Sequence, residues 1–293
     1  MDNHDEVTFW NQAGGETWSR LQPQIDVLFQ HINATLLQQC RPQNGQHFVD
    51  IGCGSGALAL ALAQSLGANG SVTALDVSDP LLSLAKTRAE SLRNHAYAPL
   101  APVTWTLADA SAHRFAQPFD TMVSRFGVMF FDTPVLAFQH LRKALKPGAA
   151  LHFAAWQRIE DNPWFKVPRD IAIEQLGPVP DKDPRAPGPT AFADTEYVTD
   201  ILESAGFTAV SIEVTDLPLH VDGDATACAR FASVLGPVSR IVQQKQAEKP
   251  AIDRLRAAIA ERFIAYEQQP QQGQPPICQV PAKINFVRAL NPT

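Results

Sequence analysis

A doubly wound α/β fold is the class this chain predicts: seven strands, mostly parallel, with helices on both faces of the sheet. Three observations predict it. Short apolar runs of strand character alternate with helix-period runs from 46 to 155. Glycines crowd the junction between the first such strand and the first helix after it, and aspartates recur at successive strand ends. Alternation of this kind implies parallel pairing, because each strand needs a covering helix to return the chain to the same end of the sheet.

The N-terminal stretch 8–39 reads as helix, with Leu21, Ile25, Leu28, Phe29, Ile32, Leu36 and Leu37 recurring at helical spacing. It is associated with an aromatic and glycine cluster containing Phe9, Trp10, Gly14, Gly15 and Trp18. Strands are expected over 46–51, 71–76, 102–107, 119–124 and 149–155, and helices over 57–66, 80–95 and 134–145. Asp79 and Pro80 supply an N-cap and a first-turn proline for the second of these helices, and Gly67 ends the first. Beyond 156 the texture changes. A proline-rich span, 157–193, surrounds one helix over 164–176, and then 195–206 reads as a helix ended by glycine and 207–214 as a strand. A second span, 225–268, is helical and broken at Leu235-Gly236-Pro237, and 268–274 is a glutamine-rich loop. The alternating segment 282–289 adds an antiparallel edge strand. One domain, 1–293, is expected, with a helical lid over 1–44, a ligand-binding core over 45–156, and cap insertions at 157–193 and 225–268.

The most informative stretch is Phe48-Val49-Asp50-Ile51-Gly52-Cys53-Gly54-Ser55-Gly56, followed by an alanine and leucine helix and by a strand ending at Asp76. This strand, glycine turn, helix and second strand form the Rossmann-like layout of a nucleotide site. Glycine removes the Cβ where backbone must turn or approach a ligand, the helix start offers unpaired N–H groups, and Asp76 can take both hydroxyls of a ribose. The spacing is G-x-G-x-G rather than the dinucleotide G-x-G-x-x-G, and Asp50 stands two residues before Gly52. A carboxylate there repels a pyrophosphate and attracts a cation. A positively charged, adenosine-containing ligand is expected.

S-adenosylmethionine has that chemistry, and at this point the chain resembles the class I S-adenosylmethionine-dependent methyltransferases, in particular the small-molecule group around the ubiquinone and menaquinone C-methyltransferases. Leu107-Ala108-Asp109-Ala110 is similar to the family's acidic turn after strand three, and 119–126 to its fourth strand. Leu141 to Leu151 is similar to its L-x-x-x-L-x-P-G-G-x-L segment, with Ala149 in place of the second glycine. The resemblance covers 45–220. It implies a cofactor site formed by Asp50, Gly52, Cys53, Gly54, Gly56, Asp76, Val77, Asp109, Ala110 and Ser124. S-adenosylhomocysteine is the implied product, and the lid is expected to fold over the cofactor. Trp18 or Trp10 then either flanks the sulfonium by cation–π attraction or only anchors the N-terminal helix to the core.

A net charge of −6 without a basic run argues against a nucleic-acid substrate. DNA amino-methyltransferases carry Pro-Pro-aromatic after the fourth strand, where this chain has Ser124-Arg125-Phe126-Gly127; Asn162-Pro163-Trp164-Phe165 lies later and reads as the start of a cap helix. A small, largely apolar acceptor is expected, with Arg125 and Phe126 lining its pocket. Phe130 and Phe131 either join them or belong to the core. Cys40, Cys53, Cys228 and Cys278 have neither metal nor disulfide spacing, so reduced thiols, no metal and a cytoplasmic location are expected. No apolar run reaches membrane length and no export signal is visible, so membrane insertion is not expected. A homodimer is compatible with the chain. The residues that could serve as a general base, His113, His140, His152, His220 and Asp132, carry no signature. The alternatives are an NAD(P)-dependent oxidoreductase, which the glycine spacing and the absence of lysine four residues after Tyr97, Tyr197 or Tyr266 disfavour, and a non-catalytic S-adenosylmethionine-binding module.

Overall fold

In the computed structural model, which describes residues 3–180, 183–268 and 275–293, eight strands form one mixed sheet. The N-terminal stretch is four helices rather than one: α1 (Asn3–Asn11), α2 (Ala13–Arg20), α3 (Gln22–Leu28) and α4 (Gln30–Cys40). The breaks fall at Gln12, Leu21 and Phe29, where the backbone leaves helical geometry and lets the segment bend around the sheet. The apolar spacing identified the buried face, but spacing alone does not reveal such corners.

β1 (His47–Ile51), α5 (Ala57–Leu66) and β2 (Ser71–Asp76) follow as the spacing predicts. α5 consists almost wholly of alanine and leucine, strong helix formers with little side-chain entropy to lose, and most of it is buried. Gly67 ends it at φ 64°. α6 (Asp79–His95) is capped by Ser78 rather than Asp79: the Ser78 hydroxyl accepts from the Leu81 amide at 3.5 Å, leaving Asp79 in the first turn. β3 (Val103–Leu107), β4 (Phe119–Arg125), α7 (Pro134–Arg142) and β5 (Leu145–Trp156) complete the parallel part. Gly148 takes φ 75° in the turn before 149, so one glycine satisfies that turn and Ala149 is tolerated.

The cap side comprises α8 (Pro163–Leu176), α9 (Thr195–Ser204), β6 (Thr208–Asp222), α10 (Ala225–Ala232), α11 (Pro237–Gln244), α12 (Lys249–Phe263), β7 (Glu267–Gln268) and β8 (Ile277–Leu290). The strand order is β3-β2-β1-β4-β5-β8-β6, with β7 on β8. The expected antiparallel strand is β8, and it lies between β5 and β6, so the outer position falls to β6. Both run well beyond the expected lengths, and their distal halves, paired from Leu217↔Ala282 to Asp222↔Ile277, carry the cap helices. The glutamine-rich loop expected over 268–274 lies, from 269 on, outside the described residues.

Strand alternation divides the core into two layers. On one face Phe153 stacks on Phe138 of α7 and meets Phe192. Trp156, an odd number of residues further along β5, meets Phe29, Phe126 and Phe165 on the other face. Among the described residues no helix is long and apolar enough to cross a membrane.

Candidate functional site

Asp50, Asp76, Asp109 and Ser124 all lie at or just beyond the C-terminal ends of the parallel strands, beside the point where the order turns from β1 to β4. Ligands of open α/β sheets bind in that crevice. The three loop glycines take φ 67°, 54° and 83°, each for its own reason. A Cβ on Gly52 would stand 2.7 Å from Gly127 Cα, so the β1 and β4 turns touch backbone to backbone. One on Gly56 would strike Trp105 at 2.7 Å. Gly54 faces open space, which makes it the loop residue presented to a ligand. Cys53 is buried beneath, its amide donating to Leu75 O at 2.9 Å, and burial holds its thiol well above the ordinary value, so it is a packed thiol rather than a nucleophile.

The two leading carboxyls differ sharply. Asp76 is tied into the loop: Gly54 N–H donates to Oδ2 at 2.7 Å and Ser78 N–H to Oδ1 at 2.9 Å. Each oxygen keeps a lone pair for a hydroxyl. Burial raises its pKa while those amides pull it down. Asp50 is 1 % exposed and its Oδ2 has no hydrogen-bond partner. Burial pushes it up to about 8, against the pull of the Arg125 charge, with Asp76 adding repulsion. A buried acceptor left open in this way costs on the order of 1–3 kcal/mol and is a place where a donor is missing.

Asp109 turns its Oδ1 to the Ser111 amide at 2.8 Å and hydroxyl at 2.7 Å, shaping the turn after β3, with Ala110 buried beside it. Ser124 is a tie between strands: its hydroxyl donates to Ile51 O at 2.7 Å and accepts from Gly127 N–H at 3.1 Å. Phe126, two residues on, holds φ 68° although it is neither small nor polar, and its ring stacks on Trp156 at 4.8 Å. Strain of this kind persists where surrounding packing enforces it.

Helices α1 and α2 are fastened to the β2 end by residues that spacing alone did not single out. The Asn11 amide nitrogen donates to Val77 O at 2.8 Å, the Asp79 amide donates to Asn11 Oδ1 at 3.1 Å, and the Ser78 hydroxyl donates to Trp10 O at 2.6 Å. A Cβ on Gly15 would come within 2.8 Å of the Ser78 hydroxyl. Trp18 is half-buried, edge-on to Trp10 at 5.5 Å and tilted against Phe29 at 6.2 Å. An aromatic wall thus runs from α1 through Phe29 to Trp156 and Phe165.

Two arginines complete the site. Arg88 of α6 pairs with Asp26 of α3 and donates to Ser55 O at 2.6 Å, fixing the loop from outside. No local pattern marks that long-range pair; only an arginine on a helix face was visible. Arg125, expected in the acceptor pocket, is turned toward α4, where Nη1 donates to Asn33 Oδ1 at 2.9 Å and the guanidinium lies 5.4 Å from the Phe29 centroid. His140 is engaged with His113 O at 2.7 Å. His152 is buried on β5 and pushed down to about 4, chiefly by burial and also by Arg288, so it is neutral near pH 7. His220 contacts Asp222 at 3.1 Å on the far part of β6, and Asp132 is exposed beyond the β4 turn. Among the described residues no group of three or more His, Cys, Asp or Glu is placed to hold a metal ion.

Comparison with known proteins bears on the domain and its fold. The methyltransferase-domain family model matches residues 48–148. The chain is 31% identical over 133 residues to a probable cobalt-precorrin-6B C(15)-methyltransferase (decarboxylating) of Thermoplasma volcanium, covering 45% of this chain and 62% of that one. It is 34% identical over 135 residues to the 2-phytyl-1,4-naphtoquinone methyltransferase of Nostoc punctiforme, covering 46% and 56%. In each case the match spans less than two thirds of the relative. Among solved structures, magnesium protoporphyrin IX methyltransferase from Synechocystis PCC 6803, with S-adenosylhomocysteine bound, superposes with a TM-score of 0.53 at 19% identity, over 75% of this chain and 93% of that one, a likeness of fold. Residues 48–148 thus carry the match to the methyltransferase domain, and over that span the chain is similar to the methyltransferases named above.

Proposed function

We propose that the protein binds S-adenosylmethionine beyond the ends of β1 and β2 and transfers its methyl group to a small-molecule acceptor. One observation carries the reading: a buried carboxyl with an unpartnered oxygen, Asp50, stands beside a glycine loop whose presented residue, Gly54, faces open space. An ammonium supplies the missing donor and favours the ionised form of this buried carboxyl, whereas a diphosphate brings acceptors only and would hold it protonated. The residues fit the cofactor otherwise as well. Asp76 keeps acceptor capacity for the ribose hydroxyls, Val77, Asp109 and Ala110 edge the adenine position, and Gly52, Cys53, Gly56 and Ser124 hold the loop in shape.

Bound there, the cofactor supplies a methyl on a sulfonium, displaced in line with a neutral thioether leaving. What remains for the chain is positioning and exclusion of water, and alignment alone is worth up to about 7–11 kcal/mol in ideal intramolecular cases. Helices α1 and α2, held by Asn11 and Ser78, serve as the lid, and Trp10, Trp18, Phe29, Phe126 and Trp156 form its apolar lining. The helices of 157–193 and 225–268 form the cap and set the acceptor. The lining favours a flat, largely apolar compound, and the two relatives above are named for a naphthoquinone and a cobalt-precorrin. The net charge of −6 supports an acceptor other than nucleic acid, and four free cysteines support a reducing, cytoplasmic setting. No general base is assigned.

Calorimetric titration with S-adenosylmethionine and with NAD tests the cofactor: micromolar binding of the first alone is expected, and binding of NAD alone overturns the proposal. Incubation with methyl-labelled cofactor and a panel of quinones, phenols and amines tests the transfer; tight cofactor binding without turnover across the panel would leave a binding module.

A further inference from the structure

Between the corner of α2 and α3 on one side and the far end of β6 with α10 on the other, a cavity of about 380 Å3 opens to solvent. It forms where α3 packs against β6 and where α10 leaves the end of that strand. Leu21, Val27, Val221 and Phe231 give it apolar walls, and the last two are buried. Arg20, the last residue of α2, and Arg230 of α10 line it as well, and both are exposed, which sets them at its mouth. Among the described residues neither guanidinium has a hydrogen-bond, ion-pair or ring partner. Asp222, the acid among the lining residues, is already engaged, with Oδ1 3.1 Å from His220 Nε2.

A hydrated arginine needs no partner, so a lone exposed guanidinium carries no message. Two at the rim of one apolar cavity do: the walls offer burial to the body of a ligand and the forks offer two-point hydrogen bonds to an anionic head. The surroundings share that sign. Residues 225–268 carry seven Lys or Arg against four Asp or Glu, in a chain whose net charge is −6, so an anion is favoured at the cap over the rest of the surface. Register then sets the distance from the site. Trp156, at the end of β5, pairs with Ile284, and Ile284 pairs with Thr215 of β6. Val221 lies six residues beyond Thr215, roughly 20 Å further at about 3.3 Å per residue. A molecule that reaches both places is elongated.

We propose that Arg20 and Arg230 receive the anionic end, carboxylate or phosphate, of an elongated apolar acceptor whose reacting end lies beside the cofactor's methyl group. The proposal rests on the methyl-transfer reading above and narrows the acceptor to an amphipathic acid. Both arginines are specificity-determining residues that take no part in the transfer.

The test is calorimetry on the full chain with S-adenosylhomocysteine present. The probes are hydroxyphenyl-dodecanoate, its methyl ester, which keeps the length and loses the charge, and hydroxyphenyl-acetate, which keeps the charge and loses the length. The wild type is expected to bind the long acid roughly tenfold more tightly than the ester at low salt, with the advantage shrinking as salt rises, and to bind the short acid weakest. Monododecyl phosphate, competing with the long acid, reports which anionic head the forks prefer. The double variant Arg20→Gln, Arg230→Gln is expected to bind acid and ester alike, and Arg20→Lys with Arg230→Lys to recover part of the preference. Both side chains are exposed and unpartnered, so circular dichroism of the variants should match the wild type. A wild type with no preference for the long acid over its ester, through equal binding or none, overturns the proposal, as does a double variant that keeps the preference. S-adenosylmethionine is titrated into the same proteins and is expected to bind wild type and double variant equally. A wild type that does not bind it removes the cofactor reading itself, a result distinct from a missing preference for the acid.

Discussion

The nucleotide half of the sheet and the cap half are built on different rules. From β1 to β3 the strands are five or six residues long, each followed closely by its turn, and the site is held by short hydrogen bonds such as Asp76 to Gly54 at 2.7 Å and Ser124 to Ile51 at 2.7 Å. Beyond β5 the two long strands, β6 and β8, are 15 and 14 residues long, and their outer halves carry helices that hold together through aromatic contact. Trp164 of α8 meets Phe231 at 5.7 Å and stacks on Phe263 at 6.4 Å, joining α8, α10 and α12. Asn162 pins the start of α8 to β8 by accepting from Lys283 N–H at 2.9 Å. A motif of fixed geometry can bind the same cofactor in many proteins, while a layer held by packing can change its acceptor without disturbing the loop.

That contrast can be broken most directly at Trp164. Trp164→Ala should cost about 3–5 kcal/mol by urea denaturation, yet methylthioadenosine affinity should stay near the wild-type value. A matching loss of affinity would mean the two halves are one cooperative unit. The next effect is a pair of pH dependences of opposite sign, one from His152 on β5 and one from Asp50 on β1. His152 has a folded value of about 4 against an ordinary 6.5, so between those values the unfolded chain takes the proton that the folded chain refuses. Its contribution is complete above pH 6.5 and is lost as pH falls toward 4, by up to roughly 3 kcal/mol, and His152→Leu should flatten that slope. Asp50, raised from 3.8 to about 8, works the other way: the ligand-free fold is favoured below pH 3.8 and loses that contribution as pH rises through 8. Asp50→Asn should therefore stabilise the ligand-free protein at pH 8 in thermal melts while weakening cofactor binding.

Asp76→Ala sharpens the contrast from the other side. It should weaken the nucleoside by roughly 1–3 kcal/mol in calorimetry, through lost ribose bonds and a loosened Gly54 amide, with the cap unaffected in near-UV circular dichroism. The smallest effect belongs to Ser78→Ala, which removes the α6 cap and the tie to Trp10; about 1 kcal/mol of stability should go, together with faster proteolysis at α1 and α2.

The β1, α5 and β2 elements fall where the sequence placed them because every determinant there is local: apolar alternation, glycine at fixed offsets, an alanine and leucine helix between two glycines. The N-terminal stretch was legible as buried helix but not as four helices, since its corners at Gln12, Leu21 and Phe29 answer to the sheet it wraps. Asp50 was legible as the acid of the loop; that one of its oxygens is left without a partner was not, because burial is a property of the assembled neighbours. Arg88 and Asn11 were missed for the same reason, their partners being 62 and 66 residues away in the chain.

Residue order was sufficient for the alternation of strands and helices, the glycine turn and the acids at the strand ends, since each depends on neighbours within one or two turns of chain. Position of β8 inside the sheet, the outward place of β6, the company Arg125 keeps and the aromatic wall against α1 arose only when distant segments packed. Such contacts are selected by burial and shape among parts far apart in the chain, and no local spacing encodes them.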